Sequence, residues 1–246
     1  MHESFKLMNI FQKNTLTTTD KTNASITITW FKTNLCEQPF ADAMRVLWPL
    51  AHKAYLPVEM DFLKAHPTVV GQEPSLNAFE PLFAHGPSNV DWAAAEALMT
   101  KQLERLFVFD PANFSPAIIA HFAQDSAFVV TATDSQTNLQ LGLISFMVRI
   151  SYPANTVKVM SFAVAADHQN RGIGKLLMSS VFAFLPDTTT LFLHTRVTNQ
   201  NAIRAYRNWG FVDDHNPIMD HQFNLAHWIF LTYDASTTSK LQTVIK

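Results

Sequence analysis

The chain has 246 residues, of which 48% are hydrophobic and 15% are charged, and its formal net charge is −2. This composition suits a globular protein with a sizeable core, excludes an intrinsically disordered chain, and argues against nucleic-acid binding through overall basicity. Only one cysteine is present, which excludes an internal disulfide framework. The sequence has no run of about 18 apolar residues and no secretory h-region. We therefore predict a cytoplasmic protein without membrane contact.

The first quarter of the chain changes from polar to structured. Residues 1–24 are rich in threonine and asparagine, and we predict a flexible leader there. Alternating β-branched residues predict the first strand at 24–31. Spaced apolar residues predict a helix over 40–66 that Pro49 and Pro57 kink or split.

The middle of the chain changes from helical to β periodicity. The segment 67–90 holds four prolines and two glycines, so we predict an irregular excursion of the kind that often forms a functional lid. A helix is predicted to begin at Asp91, and a shorter one to follow at 116–124. Three β-rich runs with short polar links then predict an antiparallel meander, with strands at 127–134, 139–150 and 156–166.

The last part of the chain alternates helix and strand. Periodicity predicts a helix at 173–185 that ends before Pro186, a strand at 190–197, a helix at 199–209 and a strand at 226–234. This order of elements indicates an α/β or α+β fold with a mixed sheet. We expect a single domain over 25–235 with a helical and loop insertion around 60–125, followed by a C-terminal tail at 236–246.

Two of the six glycines lie within "HQNRGIGKLL" (168–177), between a predicted strand and a predicted helix. A helix N-terminus attracts anions through its unpaired N–H groups, and glycines let a ligand approach the backbone closely. Asn170 tolerates positive φ. A Walker loop is excluded, because it needs glycine at the position of Gln169 and Ser or Thr at the position of Leu176. A dinucleotide-binding G-x-G-x-x-G loop is excluded, because it needs glycine at the position of Leu177. Taken alone, this stretch could also be an ordinary strand-to-helix turn in which Arg171 and Lys175 are surface charges.

A second motif, "NQNAIRAYRNWGF" (199–211), follows one helix and one strand later. Together the two motifs resemble the GNAT superfamily of N-acetyltransferases over about residues 125–234. The first matches the superfamily's Q/R-x-x-G-x-G/A acyl-CoA signature, which begins five residues after a strand valine, at Val164, Gln169, Gly172 and Gly174. The second matches the superfamily's Asn–Ala–Tyr–Gly–Phe spacing at Asn199, Ala202, Tyr206, Gly210 and Phe211.

The resemblance implies a GNAT-like fold, with a mostly antiparallel twisted sheet that is splayed at a cofactor wedge and flanked by helices. It also implies acetyl-CoA as cosubstrate, with its pantetheine arm beside the strand at Phe162, Ala163 and Val164 and hydrogen-bonded by Asn199. Many members have glycine in place of Asn170. The residues implied for pyrophosphate binding are Gln169, Asn170, Arg171, Gly172, Ile173, Gly174 and Lys175.

Acyl transfer to an amine needs a neutral amine, a stabilised oxyanion and a protonated leaving thiolate. The resemblance implies that Tyr206 lies near the sulfur as the acid and that a backbone N–H near Phe162 or Ala163 stabilises the oxyanion. For the base, His194 is the candidate, because it alternates away from the apolar residues of its strand and imidazole titrates in the useful range. An ordinary sheet histidine and a water relay to a distant carboxylate stay open. The histidine spacings predict no metal site.

Charge is unevenly distributed along the chain. Residues 149–207 carry seven basic and two acidic side chains, a net +5, and residues 57–125 carry nine acidic and three basic, a net −6. Such halves suit a polyanionic CoA and a cationic amine, although helix surfaces are often charged. We predict an N-acetyltransferase acting on a small-molecule or peptide amine. A non-catalytic acyl-CoA-binding protein is the alternative, and a homodimer stays open.

Overall fold

The computed structural model describes residues 14–33, 56–72, 80–83, 86, 89–107, 126–149, 151–183, 189–215, 217–218, 226–238 and 240–241. The helix predicted at 116–124, Pro49 and Pro186 lie outside these residues. Within them, no helix is long and apolar enough to cross a membrane.

Eight strands form one sheet in the spatial order β1-β2-β3-β4-β5-β6-β8-β7. Every neighbouring pair is antiparallel except β5 and β6, which are parallel, so the predicted mixed, mostly antiparallel sheet is confirmed. The predicted meander is β3, β4 and β5. The strands are β1 Asn14–Thr19, β2 Ser25–Thr33, β3 Ser126–Asp134, β4 Gln140–Val148, β5 Thr156–Val164, β6 Thr190–Arg196, β7 Val212–Asp213 and β8 Trp228–Asp234.

The helices flank this sheet, and the described residues also form short 3₁₀ segments. Asp91 accepts hydrogen bonds from the N–H groups of Ala93 (3.1 Å) and Ala94 (3.0 Å), which confirms the predicted helix start as an N-cap. The α-helices are α1 at 56–65, α2 Glu80–Phe83, α3 Trp92–Phe107, α4 Ile173–Ser179 and α5 Gln200–Trp209. The 3₁₀ segments are Pro67–Gln72, Ala166–His168 and Ser180–Ala183.

The prediction of a flexible leader at 1–24 is wrong for residues 14–24. β1 pairs in register with β2 from Asn14 opposite Trp30 to Thr19 opposite Ser25, and the two strands are joined by a tight turn at 20–24. Threonine is polar but β-branched, so a threonine-rich segment fits a pleated edge strand as well as it fits a loop. Because the segment is mostly polar, its hydrophobicity pattern does not show the period of two that marks a strand.

The C-terminal tail predicted at 236–246 is also wrong for its described part. The Tyr233 hydroxyl donates a hydrogen bond to the Thr238 carbonyl (2.8 Å) and accepts one from the Leu241 N–H (3.3 Å). Leu241 is fully buried in the main core. The chain after β8 therefore folds back over the sheet.

The described residues form a main core and a smaller hydrophobic cluster. The main core lies between the sheet and α4 and α5, and includes Ile26, Phe146, Leu177, Tyr206 and Leu231. A smaller cluster joins α1 to α3 and contains Met60, Leu63, Val69, Ala95 and Met99. The smaller cluster holds the two helices together, and Glu59 on α1 and Met99 on α3 reach the cleft described below.

β5 and β6 separate part-way along their length. They are paired only where Thr156–Lys158 lies opposite Thr190–Phe192, and no register continues beyond Lys158. On its other edge β5 carries a bulge, because Ser145 pairs with Ser161 while the next residue of β4 pairs with Val159. Met160 is the extra residue and is 38% exposed. Bulges of this kind redirect side chains next to functional sites. The separation of the strands confirms the predicted splay.

Candidate functional site

A large cleft opens where β5 and β6 separate. Its volume is about 1310 Å³, and it is lined by β5, β6, the loop 168–175 (hereafter the glycine loop), α5 and the β1–β2 turn. Pockets for a single small ligand commonly measure about 300–1,000 Å³. The cleft therefore has room for an extended cosubstrate together with an acceptor.

The glycine loop has the backbone conformation that its sequence predicts. Asn170 has φ +63° and Gly172 has φ +87°. α4 begins at the next residue, so the first-turn N–H groups of Ile173, Gly174 and Lys175 have no intrahelical acceptor. All of these residues line the cleft. A Cβ added to Gly172 would lie 3.1 Å from the Lys21 Cγ, so even one methyl group would crowd this wall.

The side chains of Gln169 and Arg171 make structural contacts. The Gln169 amide donates to the Val164 carbonyl (3.2 Å), and its backbone N–H donates to the Ala166 carbonyl (3.4 Å). The Arg171 guanidinium contacts both the Asp20 carboxylate and the His168 ring. Because the Gln169 N–H already has an acceptor, the N–H groups left for a ligand begin at Asn170, one residue later than expected.

Asp20 anchors the β1–β2 turn to the glycine loop. Burial alone would raise the pKa of Asp20, but hydrogen bonds from Thr22, Arg171 and the Ala24 N–H outweigh it and lower the pKa to about 2. A lowered folded-state pKa adds stability that is complete above the unfolded value of 3.8 and is lost as the pH falls towards 2. Between pH 4 and pH 2 we expect the free energy of unfolding to fall less steeply with decreasing pH in Asp20→Asn than in the wild type. An equally steep fall in the wild type and in Asp20→Asn would contradict the lowered pKa of Asp20.

The wall formed by β5 and α5 presents groups for an extended ligand. Phe162, Ala163 and Val164 pair with β4 along one edge of β5, and the other edge borders the cleft. Asn199 occupies the N-cap position of α5, yet its side chain makes no capping hydrogen bond. Its amide donates instead to the Thr195 hydroxyl (3.3 Å), at the cleft wall. Asn199 therefore lines the cleft without capping α5.

Tyr206 extends from α5 into an aromatic cluster beside the cleft. Its ring centroid lies 6.1 Å from that of Phe162, 5.8 Å from that of Trp209 and 5.6 Å from that of Phe211. The residue is 6% exposed, and burial raises the pKa of its hydroxyl well above the ordinary value. The hydroxyl therefore keeps its proton at every physiological pH and is available as a donor.

His194 reaches the same cleft from β6. Its ring makes an edge contact with Trp228 (centroids 5.1 Å apart) and a tilted contact with Phe230 (5.9 Å). The side chain is half-buried, whereas Leu193 beside it belongs to the core. The structure thus brings His194 and Tyr206, the two residues with predicted catalytic roles, to one cavity from different elements.

A buried polar cluster at the end of β6 was not found from the sequence. The Glu59 carboxylate accepts hydrogen bonds from Arg196 and from the Thr198 hydroxyl (2.8 Å), and it contacts the His227 ring (Nε2 to Oε1, 2.7 Å). Glu59 is 2% exposed and His227 is fully buried. Arg196 also lies over the Trp228 ring, 5.0 Å from its centroid. Glu59 is 137 residues or more from each partner, so no local pattern could reveal the cluster.

Removal of the Glu59 carboxylate will destabilise the protein strongly. Glu59→Ala leaves the mostly buried Arg196 guanidinium without this partner, and breaking such a pair costs about 3–5 kcal/mol. The measurement is the free energy of unfolding in urea. The control is Asp61→Ala on the same helix, where the carboxylate is 79% exposed and its pair with Lys64 contributes little. Equal stability of the two variants would show that the Glu59 cluster does not hold α1 in place.

Comparison with known proteins agrees with this architecture. Residues 92–211 match the sequence pattern of the Acetyltransferase (GNAT) family. None of the curated proteins compared with the chain matches it detectably in sequence. Comparison with solved structures finds distant similarities, among them the following three. A protein of Desulfovibrio desulfuricans described as a GNAT acetyltransferase is 19% identical over 44% of this chain and 69% of its own, with a TM-score of 0.37.

The other two are similarly distant. A spermidine/spermine N-acetyltransferase of Vibrio cholerae is 21% identical over 55% of this chain and 75% of its own, with a TM-score of 0.35. A protein of Klebsiella pneumoniae described as an acyl-CoA N-acyltransferase is 16% identical over 61% and 92%, with a TM-score of 0.41. The family match covers residues 92–211, which hold both motifs and most of the residues that line the cleft. This part of the chain is therefore a GNAT acetyltransferase domain, and the members of that family are acetyl-CoA-dependent acyltransferases.

Proposed function

We propose that the protein transfers an acetyl group from acetyl-CoA directly to a primary amine of a small molecule or peptide, in a ternary complex. The observation that carries this proposal is the shared cleft of about 1310 Å³, which the glycine loop, Tyr206 and His194 all line. Direct transfer needs cosubstrate and acceptor in one cavity at the same time, because reaction requires the two reacting atoms to be held in contact.

The cosubstrate is placed by the backbone. The N–H groups from Asn170 to Lys175 bind the pyrophosphate, since positive φ at Asn170 and Gly172 turns the chain into the start of α4. The pantetheine arm lies along the cleft edge of Phe162–Val164, and the Asn199 amide hydrogen-bonds it. Acetyl-CoA supplies the activated acyl group. Every residue in this placement lines the cleft, and a Cβ at Gly172 would crowd it.

Three groups of the chain perform the proton and charge chemistry. His194 accepts the proton of the attacking amine, and a backbone N–H near Phe162 or Ala163 stabilises the oxyanion. Tyr206 donates its hydroxyl hydrogen to the departing sulfur. Burial raises the pKa of Tyr206, so its hydroxyl keeps its hydrogen throughout the working range, and the side chain lines the cleft. The position of His194 beside the cleft, on β6, supports a role at the acceptor.

The experiment that tests this function is an acetyl-CoA-dependent thiol-release assay with a panel of amines. The panel holds polyamines, amino sugars, amino acids and peptides, and mass spectrometry identifies any product. We expect thiol release and an acetylated amine, a mass increase of one acetyl group, with at least one class. Tight acetyl-CoA binding without thiol release from any amine would contradict catalysis and favour a non-catalytic acyl-CoA-binding protein.

Replacement of His194 tests the proposed base. We expect His194→Gln to lower kcat/KM for the amine by about 100-fold, because the proton acceptor is lost. The matched control is His66→Gln, at the exposed end of α1, which should leave kcat/KM unchanged. An unaltered kcat/KM in His194→Gln would show that His194 is not the base.

A further inference from the structure

The β1–β2 turn lies directly against the glycine loop. The Arg171 Nε donates to the Asp20 carboxylate at 2.5 Å, and the Lys21 N–H donates to the Arg171 carbonyl at 3.0 Å. One contact uses the side chain of Arg171 and the other uses its backbone. The turn is therefore fixed to the glycine loop at two points, although 151 residues separate Asp20 from Arg171.

The turn itself is tightly hydrogen-bonded. The Asp20 carboxylate accepts bonds from the Thr22 N–H (2.8 Å), the Thr22 hydroxyl (2.7 Å) and the Ala24 N–H (3.0 Å). Asn23 adopts positive φ, at +62°, which closes the turn. The side chain of Asp20 is completely buried. Lys21 is therefore presented from a rigid support, so little conformational freedom of the backbone is lost when it meets a ligand.

The Lys21 side chain passes over Gly172 of the glycine loop. A Cβ built on Gly172 would lie 3.1 Å from the Lys21 Cγ and 3.3 Å from its Cε. The aliphatic part of the side chain thus covers Gly172, and Lys21 lines the same cleft as Arg171, Gly172 and Lys175. Its ammonium group lies next to the backbone that holds the pyrophosphate in the function proposed above.

The charges around the loop favour a phosphate contact. Arg171 is paired with Asp20, so its positive charge is largely balanced within the protein. In the described parts of the chain, no carboxylate lies within ion-pair distance of Lys21 or of Lys175. Lys21 beside the glycine loop and Lys175 within it therefore have their charges available, and a cation beside backbone N–H groups strengthens anion binding.

We propose that the β1–β2 turn is part of the cosubstrate site, and that Lys21 binds the pyrophosphate of acyl-CoA. Asp20 acts as a positioning residue, because it fixes the turn through Arg171. β1 and this turn precede residues 92–211, so the contact comes from outside the part of the chain that matches the family. The inference rests on the proposed function, because it requires acyl-CoA in this cleft.

The test is calorimetric titration of acetyl-CoA and of its 3′-dephospho form into the wild type, Lys21→Ala, Lys21→Arg and Lys101→Ala. We expect Lys21→Ala to raise the Kd of both ligands about tenfold and to weaken the dependence of Kd on salt, because a charge-assisted contact is lost. Lys21→Arg keeps the charge and should stay within about threefold of the wild type. Lys101 is exposed on α3, outside the cleft, and its replacement should change nothing.

The outcomes separate this inference from the function on which it rests. If the wild type binds neither ligand, the proposed function fails. If the wild type binds and Lys21→Ala binds equally well, the role of Lys21 is wrong while the function stands. If Lys21→Ala weakens the binding of acetyl-CoA but not of its 3′-dephospho form, Lys21 contacts the 3′-phosphate and not the pyrophosphate, and the placement is wrong. Lys21 is exposed, so its replacement leaves the core intact, and a melting curve of the unliganded variant verifies this.

Discussion

Tyr206→Phe should lower kcat for acetyl transfer by about 100-fold while the Kd of acetyl-CoA stays within a factor of two. The substitution removes one oxygen and leaves the contacts of the ring with Phe162 and Trp209. A proton donor to the leaving group acts in the transition state, so its loss appears in kcat and not in ground-state binding. Steady-state thiol release, with calorimetry for the Kd, measures both quantities.

Tyr233→Phe provides a control with the same atom removed elsewhere. Its hydroxyl bonds the Thr238 carbonyl and the Leu241 N–H, outside the cleft, so its loss should lower the melting temperature and leave kcat unchanged. The pH profile gives a second check. Burial holds the pKa of Tyr206 well above its usual range, so the wild type should show no loss of activity from Tyr206 ionisation up to about pH 10. A kcat near the wild-type value in Tyr206→Phe would remove Tyr206 from the mechanism.

Gly172→Glu should abolish the thermal stabilisation that acetyl-CoA gives to the wild type. At 100 times Kd a ligand adds about 2.7 kcal/mol to the free energy of unfolding, which is readily seen as a rise in melting temperature. The new side chain would crowd Lys21 and place a carboxylate beside the pyrophosphate, so repulsion and steric overlap act together. Differential scanning fluorimetry with and without acetyl-CoA makes the measurement.

Positive φ at Gly172 adds strain that could by itself destabilise the variant. Gly86 has nearly the same φ, +85° against +87°, and no atom of the described residues lies within 4 Å of a Cβ added there. Gly86→Glu therefore carries the same charge and backbone strain away from the cleft. We expect it to melt at a lower temperature and still to be stabilised by acetyl-CoA. Stabilisation that persists in Gly172→Glu would place the pyrophosphate elsewhere.

Most of the fold follows from local periodicity. β2 to β6 and β8 lie within a few residues of their predicted positions, because alternation of apolar and polar residues marks a half-buried strand. The predicted helix at 173–185 is α-helical only over Ile173–Ser179 and continues as a 3₁₀ segment. β7 has two residues, too few to show any period. The missed strand β1 shows the limit of composition, because threonine is common both in edge strands and in loops.

The candidate site likewise has a part that could be predicted from the sequence and a part that could not. The glycine loop and α5 were found because their chemistry depends on residues that adjoin in the chain, including positive φ at Asn170 and the N-terminal N–H groups of α4. The Glu59 cluster and the Lys21 contact could not be found. Each joins side chains more than 130 residues apart, and only the packing of α1 and β1 beside the sheet brings them together.

The conformation of the glycine loop, the order of elements around it and the implied cosubstrate can all be predicted from the amino-acid sequence, because they depend on short-range backbone geometry and contiguous motifs. Which side chains surround the cleft depends on three-dimensional packing. It directed the Arg171 guanidinium to Asp20 and not to a ligand, paired the Glu59 carboxylate with Arg196, and placed Lys21 over Gly172. Charge pairing acts through space, so its partners are set by topology and burial and not by spacing along the chain.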